Sequence, residues 1–329
     1  MCLLLSSYIY GMAWGGGLAI IPIYVTEIAD DMHRGVLGFL ISMMNITGYY
    51  VGYFIRMFVM QYWLTMLICT LLSLLALGAA ILMPETPPFL ISKGRQNEAA
   101  KVLRLLRGEY RQEWEIQALE STFSEKASIF KPFMISLGLM TLQGLVHAGY
   151  SEIAAEAALE VIFGRIIDMP AVIMAPFEIA SPIGAAVAVY FIKWRLFLLI
   201  FCIGRTVGSF MVCLGYLVLH SSVLNILGGF LTIAAAPGYF PHIVMVQLLP
   251  RKTNAITCSL ITFIYLFLEF LQLYVFYFVA EFQHGMIFVT VVSALFTIYV
   301  LLFIPELKRK PVQTIQDELS NKSFIILTL

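Results

Sequence analysis

Three ionisable side chains stand where charge is expensive. Glu178, Arg205 and Glu269 lie inside long apolar runs of a 329-residue chain, and a charge at membrane depth marks a pairing, a proton relay or a substrate path. Glu178 is ten residues in from Asp168, and Arg205 is ten residues in from Arg195. At about 1.5 Å per helical residue both reach mid-bilayer, which predicts an ion pair serving structural neutralisation or a proton or substrate step. Glu269 has no basic residue in its own run, so it is expected to face water or carry a proton. Glu27 and Arg34 are seven residues apart across a short turn, where an acid and a base can tie two helix ends together. Glu152, Glu156 and Glu160 recur every four residues, as a solvated helical stripe or a cation-attracting vestibule. The five histidines and five cysteines show neither ligand nor paired spacing, so neither a metal, a disulfide framework nor a cofactor is expected. No nucleophile with its base and no phosphate loop is present, which argues against an enzyme.

The elements that must position these residues are membrane helices. Hydrophobic residues make up 60% of the chain and charged residues 12%, and the mean hydropathy is +0.90, far outside the globular range. The fold class is therefore all-α and polytopic. Nine runs are long enough to cross a bilayer, near 2–28, 36–55, 62–83, 133–150, 169–192, 196–218, 223–248, 256–279 and 286–304. Between the third and fourth lies a charged segment from Met83 to Pro132 that holds eight of the twenty basic residues. Four parts follow: residues 1–83 with three spans, 84–132 as a loop, 133–304 with six spans, and 305–329 as a tail. An amphipathic helix around Ala99 to Leu106 is expected to lie on the bundle or the headgroups. Counted loop by loop, seventeen of the twenty basic residues fall on one side. Lys and Arg resist translocation, so that side, with the loop and the C-terminus, is expected to be cytoplasmic. The N-terminus is then expected outside, on a retained first span. Zero net charge suggests no nucleic-acid partner, so the expected partners are a lipid bilayer and a small-molecule solute.

Three motifs carry a family resemblance. Pro22-Ile23-Tyr24-Val25-Thr26-Glu27 followed by Arg34-Gly35, Pro84-Glu85-Thr86-Pro87-Pro88-Phe89-Leu90, and Pro305-Glu306-Leu307-Lys308 stand in order on one side. They resemble the sugar porters of the major facilitator superfamily, in particular insect trehalose and hexose transporters. The resemblance implies a bundle with parallel internal repeats. It places the first span on the family's fourth helix, leaving the first three without counterpart, an incomplete twelve-helix fold. The repeat is visible in the chain itself. Gln247 to Asn254 lies 220 residues after Glu27 to Arg34, with both charges of the family's pair neutralised, which avoids stranding one charge near the membrane.

The resemblance also implies where substrate meets protein. The family's sugar-facing residues fall on Gln143, Ser42, His242 and Tyr265. Gln143 keeps the family's amide, as a substrate contact or an interhelical hydrogen bond. The others depart from it, and each lost amide removes about 1 kcal/mol of hydrogen bonding. Glu27, Arg34, Glu85, Arg195 and Glu306 fall on the charge network at the cytoplasmic ends, together with the intramembrane Glu178 and Arg205. Arg195 is the residue kept from the family's Asp-Arg-x-Gly-Arg-Arg loop, as a topogenic charge or a gating one. The function implied is sugar transport, of a hexose or trehalose-like carbohydrate, by alternating access in the plasma membrane. A transporter-derived protein with a binding or regulatory role, or a gene fragment, is the alternative.

Overall fold

A computed structural model describes residues 2–30, 32–59, 61–108, 115–117, 119–120, 129–146, 159, 169–236, 238–278, 282–310 and 312–321. The acidic stripe at Glu152, Glu156 and Glu160, the residues His147 to Tyr150, and the tail beyond Asn321 lie outside them.

Thirteen helices are labelled here among the described residues. They are α1 (Cys2–Ile28), α2 (Arg34–Phe58), α3 (Tyr62–Ile81), α4 (Pro87–Ser92), α5 (Gln96–Arg107), α6 (Phe130–Val146), α7 (Met169–Phe191), α8 (Trp194–Leu217), α9 (Ser222–Ala234), α10 (Phe240–Leu248), α11 (Asn254–Phe278), α12 (Phe282–Phe303) and α13 (Val312–Asn321). Seven are long and apolar enough to cross a membrane, and Phe130–Val146 and Ser222–Ala234 are shorter apolar helices. The sequence expectation of one span over 223–248 is corrected. The chain breaks into α9 and α10 around residues 235–239, because Pro237 cannot donate a helical hydrogen bond and Gly238 takes φ +53°.

The chain divides into two compact units, residues 1–40 with 126–329, and residues 41–125. In the first, α8 and α9 approach closely enough that backbone meets backbone. A Cβ on Gly208 would stand 2.8 Å from the Gly228 carbonyl, and one on Gly228 would stand 2.7 Å from that of Gly208. Small residues let membrane helices pack this tightly. On its other side α8 packs along α12, where Thr206 and Thr297 hydroxyls lie 3.1 Å apart. Around α6 gather α10, α11 and α12, with the Tyr299 hydroxyl of α12 donating to the Ile135 carbonyl at 2.9 Å. The outer surface is hydrocarbon-like, as lipid contact requires.

In the second unit the charged segment folds through its turns. The Thr86 hydroxyl accepts from the Phe89 amide at 3.4 Å and caps α4, whose first turn holds proline. Gly94 at φ +73° ends it, with the Arg95 amide reaching back to the Leu90 carbonyl at 2.9 Å. Leu90, Ile91, Ala99 and Leu119 then form a small core under the amphipathic α5.

Candidate functional site

Helix α11 has two opposed faces. Asn254, Cys258, Thr262, Tyr265, Glu269 and Gln272 recur at three- or four-residue intervals, so they share one side. All are buried except half-buried Glu269. The other side carries Ile256, Leu260, Phe263, Phe267, Phe270 and Tyr274, all exposed, as expected of a face turned to lipid. A polar stripe has been folded inward along a membrane helix.

Three other elements meet this stripe. Helix α6 brings Gln143, 2% exposed, and beside it Gly144, where a Cβ would come within 3.0 Å of the Tyr265 carbonyl. Glycine at this position lets the two backbones touch and sets Gln143 at the level of Tyr265. Helix α10 brings His242, its ring 5.2 Å from that of Tyr265 and 5.7 Å from that of Tyr239. The Tyr265 side chain hydrogen-bonds Glu269 one turn along α11 and lies in the electrostatic field of Arg205 from α8. Arg205, 5% exposed, donates through Nη2 to the Val146 carbonyl at 2.8 Å. Of the four residues expected to face substrate, His242 and Tyr265 therefore meet ring to ring, and Gln143 is buried next to the Gly144 contact with Tyr265. Ser42, 2% exposed, lies in the second unit.

Helix α7, which carries half-buried Glu178, lies mainly along α9 and only narrowly along its chain neighbour α8. The Ser181 hydroxyl of α7 meets the last carbonyls of α9, Ile233 at 3.3 Å and Ala234 at 3.2 Å.

A second constellation lies where α7, α8 and α12 meet, at the basic end of the first unit. Glu306 accepts from the backbone amides of Trp194 at 3.0 Å, Arg195 at 3.3 Å and Lys308 at 2.9 Å, placing a carboxylate on the first turn of α8, where the helix dipole favours negative charge. Lys308 donates through Nζ to the Tyr190 carbonyl at 2.7 Å and the Ile192 carbonyl at 2.9 Å, placing a cation at the negative end of α7. Burial, and then the neighbouring Arg309, pull the Lys308 ammonium below its ordinary value, with Glu306 opposing them. Arg195 adds a bond from Nη2 to the Leu301 carbonyl at 2.6 Å. The Pro-Glu-Leu-Lys motif is thus a two-charge clamp on a helix hairpin more than a hundred residues earlier. The sequence pointed to Glu306 and Arg195 but not to Lys308.

Aromatic packing closes this end. Phe39, Phe197 and Phe240 lie with ring centroids 5.2–5.3 Å apart, and Trp194 adds its indole 5.1 Å from Phe240. Trp194 also covers Gly35, where a Cβ would come within 2.8 Å of the ring. Arg34, beside it, is 4% exposed, while Glu27 is half-buried at the end of α1 and lies within electrostatic reach of Cys258. In the matching turn of the second repeat, Asn254 donates to the Val246 carbonyl at 3.4 Å and accepts from the Cys258 thiol at 2.8 Å. A neutral amide here ties α10 to α11. Helix α13 then lies on the ends of α6 and α10. Gln316 donates to the Leu248 carbonyl, and Lys131 to the Leu319 carbonyl at 3.2 Å.

In the second unit Glu85 pairs with Arg95 at 2.7 Å, and the same guanidinium grips Glu98 at 2.5 and 2.8 Å. The hydrogen bonds that Arg95 donates to Glu98 hold that carboxyl below its ordinary value and raise Arg95 above its own. Both groups are exposed, so screening keeps the triad weak.

A family model described as Sugar (and other) transporter matches residues 1–319. Among curated relatives, bovine solute carrier family 2, facilitated glucose transporter member 8 is 32% identical over 157 residues, covering 46% of this chain and 32% of that protein. Sugar transporter ERD6-like 1 of Arabidopsis thaliana is 26% identical over 347 residues, covering 95% of this chain and 73% of that one. The first of these matches spans about a third of its relative's length. Among solved structures, the proton:xylose symporter XylE bound to 6-bromo-6-deoxy-D-glucose superposes with a TM-score of 0.72 at 18% identity, over 91% of this chain and 70% of that chain. This likeness shows the fold, that of the major facilitator superfamily. An inward polar stripe, small-residue helix contacts and the charge clamp are thus set in a multi-pass membrane protein, and the chain belongs to the sugar transporter family.

Proposed function

We propose that this chain carries a sugar, a hexose or a trehalose-like carbohydrate, across the plasma membrane by alternating access. The observation that carries the reading is the buried polar side of α11, where His242 of α10 meets Tyr265 and α6 brings Gln143 to the same level. Hydroxyls of a sugar are donors and acceptors at once, which suits an amide, an imidazole and a phenol placed together away from lipid. The named activities of the bovine and Arabidopsis relatives, and the glucose analogue held by the XylE neighbour, support a sugar as the solute.

In this reading the basic end faces the cytoplasm. The aromatic cluster of Phe39, Phe197 and Phe240 closes that side, and the Glu306 and Lys308 clamp sets how firmly it stays closed. Glu27, Arg34 and Arg195 belong to the same charge network, and Glu178 neutralises Arg205.

Equilibrium binding of radiolabelled glucose to the purified 329-residue chain in detergent tests the site. Saturable binding is expected, and Gln143→Leu weakens it about fivefold or more, the worth of one buried hydrogen bond. Absence of saturable binding to folded protein, or a Gln143→Leu variant that binds as the parent does, overturns the assignment.

A further inference from the structure

Around the Glu306 and Lys308 clamp, cations outnumber the acids that answer them. Lys308 reaches through Nζ to the Tyr190 and Ile192 carbonyls, which brings the turn that carries Lys193 against the turn that carries Arg309. Two nearby acids are engaged elsewhere. Glu306 accepts from the amides of Trp194, Arg195 and Lys308, and Glu318 pairs with Lys310 at 2.5 Å. Lys193 and Arg309 are exposed, and among the described residues neither has an ion-pair partner. Burial and then the charge of Arg309 hold the Lys308 ammonium below its ordinary value, so the cations here feel one another. Like charges held together without a counter-charge favour an anion from outside.

The apolar neighbours set the height of this patch. Phe191 ends α7, Leu196 lies in the first turn of α8 and Leu302 in the last turn of α12, and all three are exposed on helices long and apolar enough to cross a membrane. Tyr190 meets Phe191 edge to face, and tyrosine is enriched where hydrocarbon gives way to headgroups. Lys193, two residues from Phe191 and three from Leu196, therefore stands at headgroup level, and the Lys308 contact holds Arg309 near it. A soluble anion meets the cations alone, whereas a phospholipid meets them with its phosphate and meets Phe191, Leu196 and Leu302 with its chains. We propose that the α7–α8 turn and the segment after α12 bind an anionic phospholipid, whose phosphate bridges Lys193 and Arg309 and fastens the two segments from outside the clamp. The cytoplasmic leaflet, which the basic end faces in the reading above, is the one rich in such lipids.

Native mass spectrometry of the purified full chain, titrated in detergent with phosphatidylglycerol or with phosphatidylcholine of the same acyl chains, tests this. The parent is expected to bind phosphatidylglycerol about thirtyfold more tightly, the worth of two basic residues beside an anionic headgroup. Lys193→Gln with Arg309→Gln brings that ratio close to one, and the charge-keeping Lys193→Arg with Arg309→Lys preserves it. Lys101→Gln with Arg104→Gln, which removes two exposed cations of α5, leaves the parent ratio. Equal affinity of the parent for the two lipids overturns the site, and so does a ratio that survives Lys193→Gln with Arg309→Gln. A ratio lost as fully in the α5 variant marks diffuse surface charge, and displacement of phosphatidylglycerol by an equal concentration of glycerol phosphate marks a soluble-anion site; either result overturns the lipid assignment.

Discussion

Removing the Glu306 carboxylate is expected to loosen the α7–α8 hairpin. Its oxygens accept three backbone amides, two of them at 3.0 Å or closer, and Trp194, whose amide is one of these, is 3% exposed. Hydrogen bonds to a charged acceptor contribute about 1.5–3 kcal/mol each, and stranding a buried donor adds to the loss. Two short bonds and one longer one, partly open to water, give about 3 kcal/mol for Glu306→Ala, or roughly a hundredfold in an opening equilibrium. Glu306→Gln keeps one oxygen but no charge, and loses about half as much. Thermal unfolding in detergent reads the first as a fall of roughly 4 °C and the second as a smaller fall. A Glu306→Ala variant that unfolds within about 1 °C of the parent refutes the clamp as a stabilising device.

Gly208→Ala forces a Cβ to within 2.6 Å of the Thr232 hydroxyl and 2.8 Å of a backbone carbonyl. It should destabilise by about 1–3 kcal/mol, whereas Gly16→Ala, whose Cβ meets nothing within 4 Å, should not; equal unfolding temperatures contradict the tight α8–α9 contact. Glu98 is held below its ordinary value of 4.5 by Arg95, so their tie contributes fully above that value and is lost as pH falls through the lower, folded one. Hydrogen exchange at the start of α5, corrected for intrinsic rate, should therefore gain speed as pH falls through the folded value, and Arg95→Gln should abolish that dependence; an identical profile in the variant refutes it. Glu178→Gln and Arg205→Gln should each lower the yield of monodisperse protein, and the exchange Glu178→Arg with Arg205→Glu should restore it; no rescue counts against the proposed pair.

Much of this architecture is legible in the residues because a membrane imposes a length. The run from Cys2 to Ile28 carries one charge, Glu27 in its last turn, and is a helix over that same range. Hydropathy cannot see the break between α9 and α10, since Ala235, Ala236, Pro237 and Gly238 leave the run uncharged. It is backbone chemistry, a proline followed by a glycine, that divides the span. The site divides in the same way. Gln143 stands out through its motif, but Glu269 and Gln272 have none, and only their three- and four-residue spacing from Tyr265 shows that they share its face. Lys308 could be seen as a basic residue in a motif. Its grip on Tyr190 spans 118 positions, and no local pattern encodes a contact at that range.

Sugar counterflow in proteoliposomes tests the central claim most directly. Vesicles holding the 329-residue chain and preloaded with unlabelled sugar should take up labelled glucose transiently above its equilibrium level, and excess unlabelled glucose outside should suppress the overshoot. Folded, monodisperse protein that gives no overshoot with either glucose or a two-ring sugar contradicts the account.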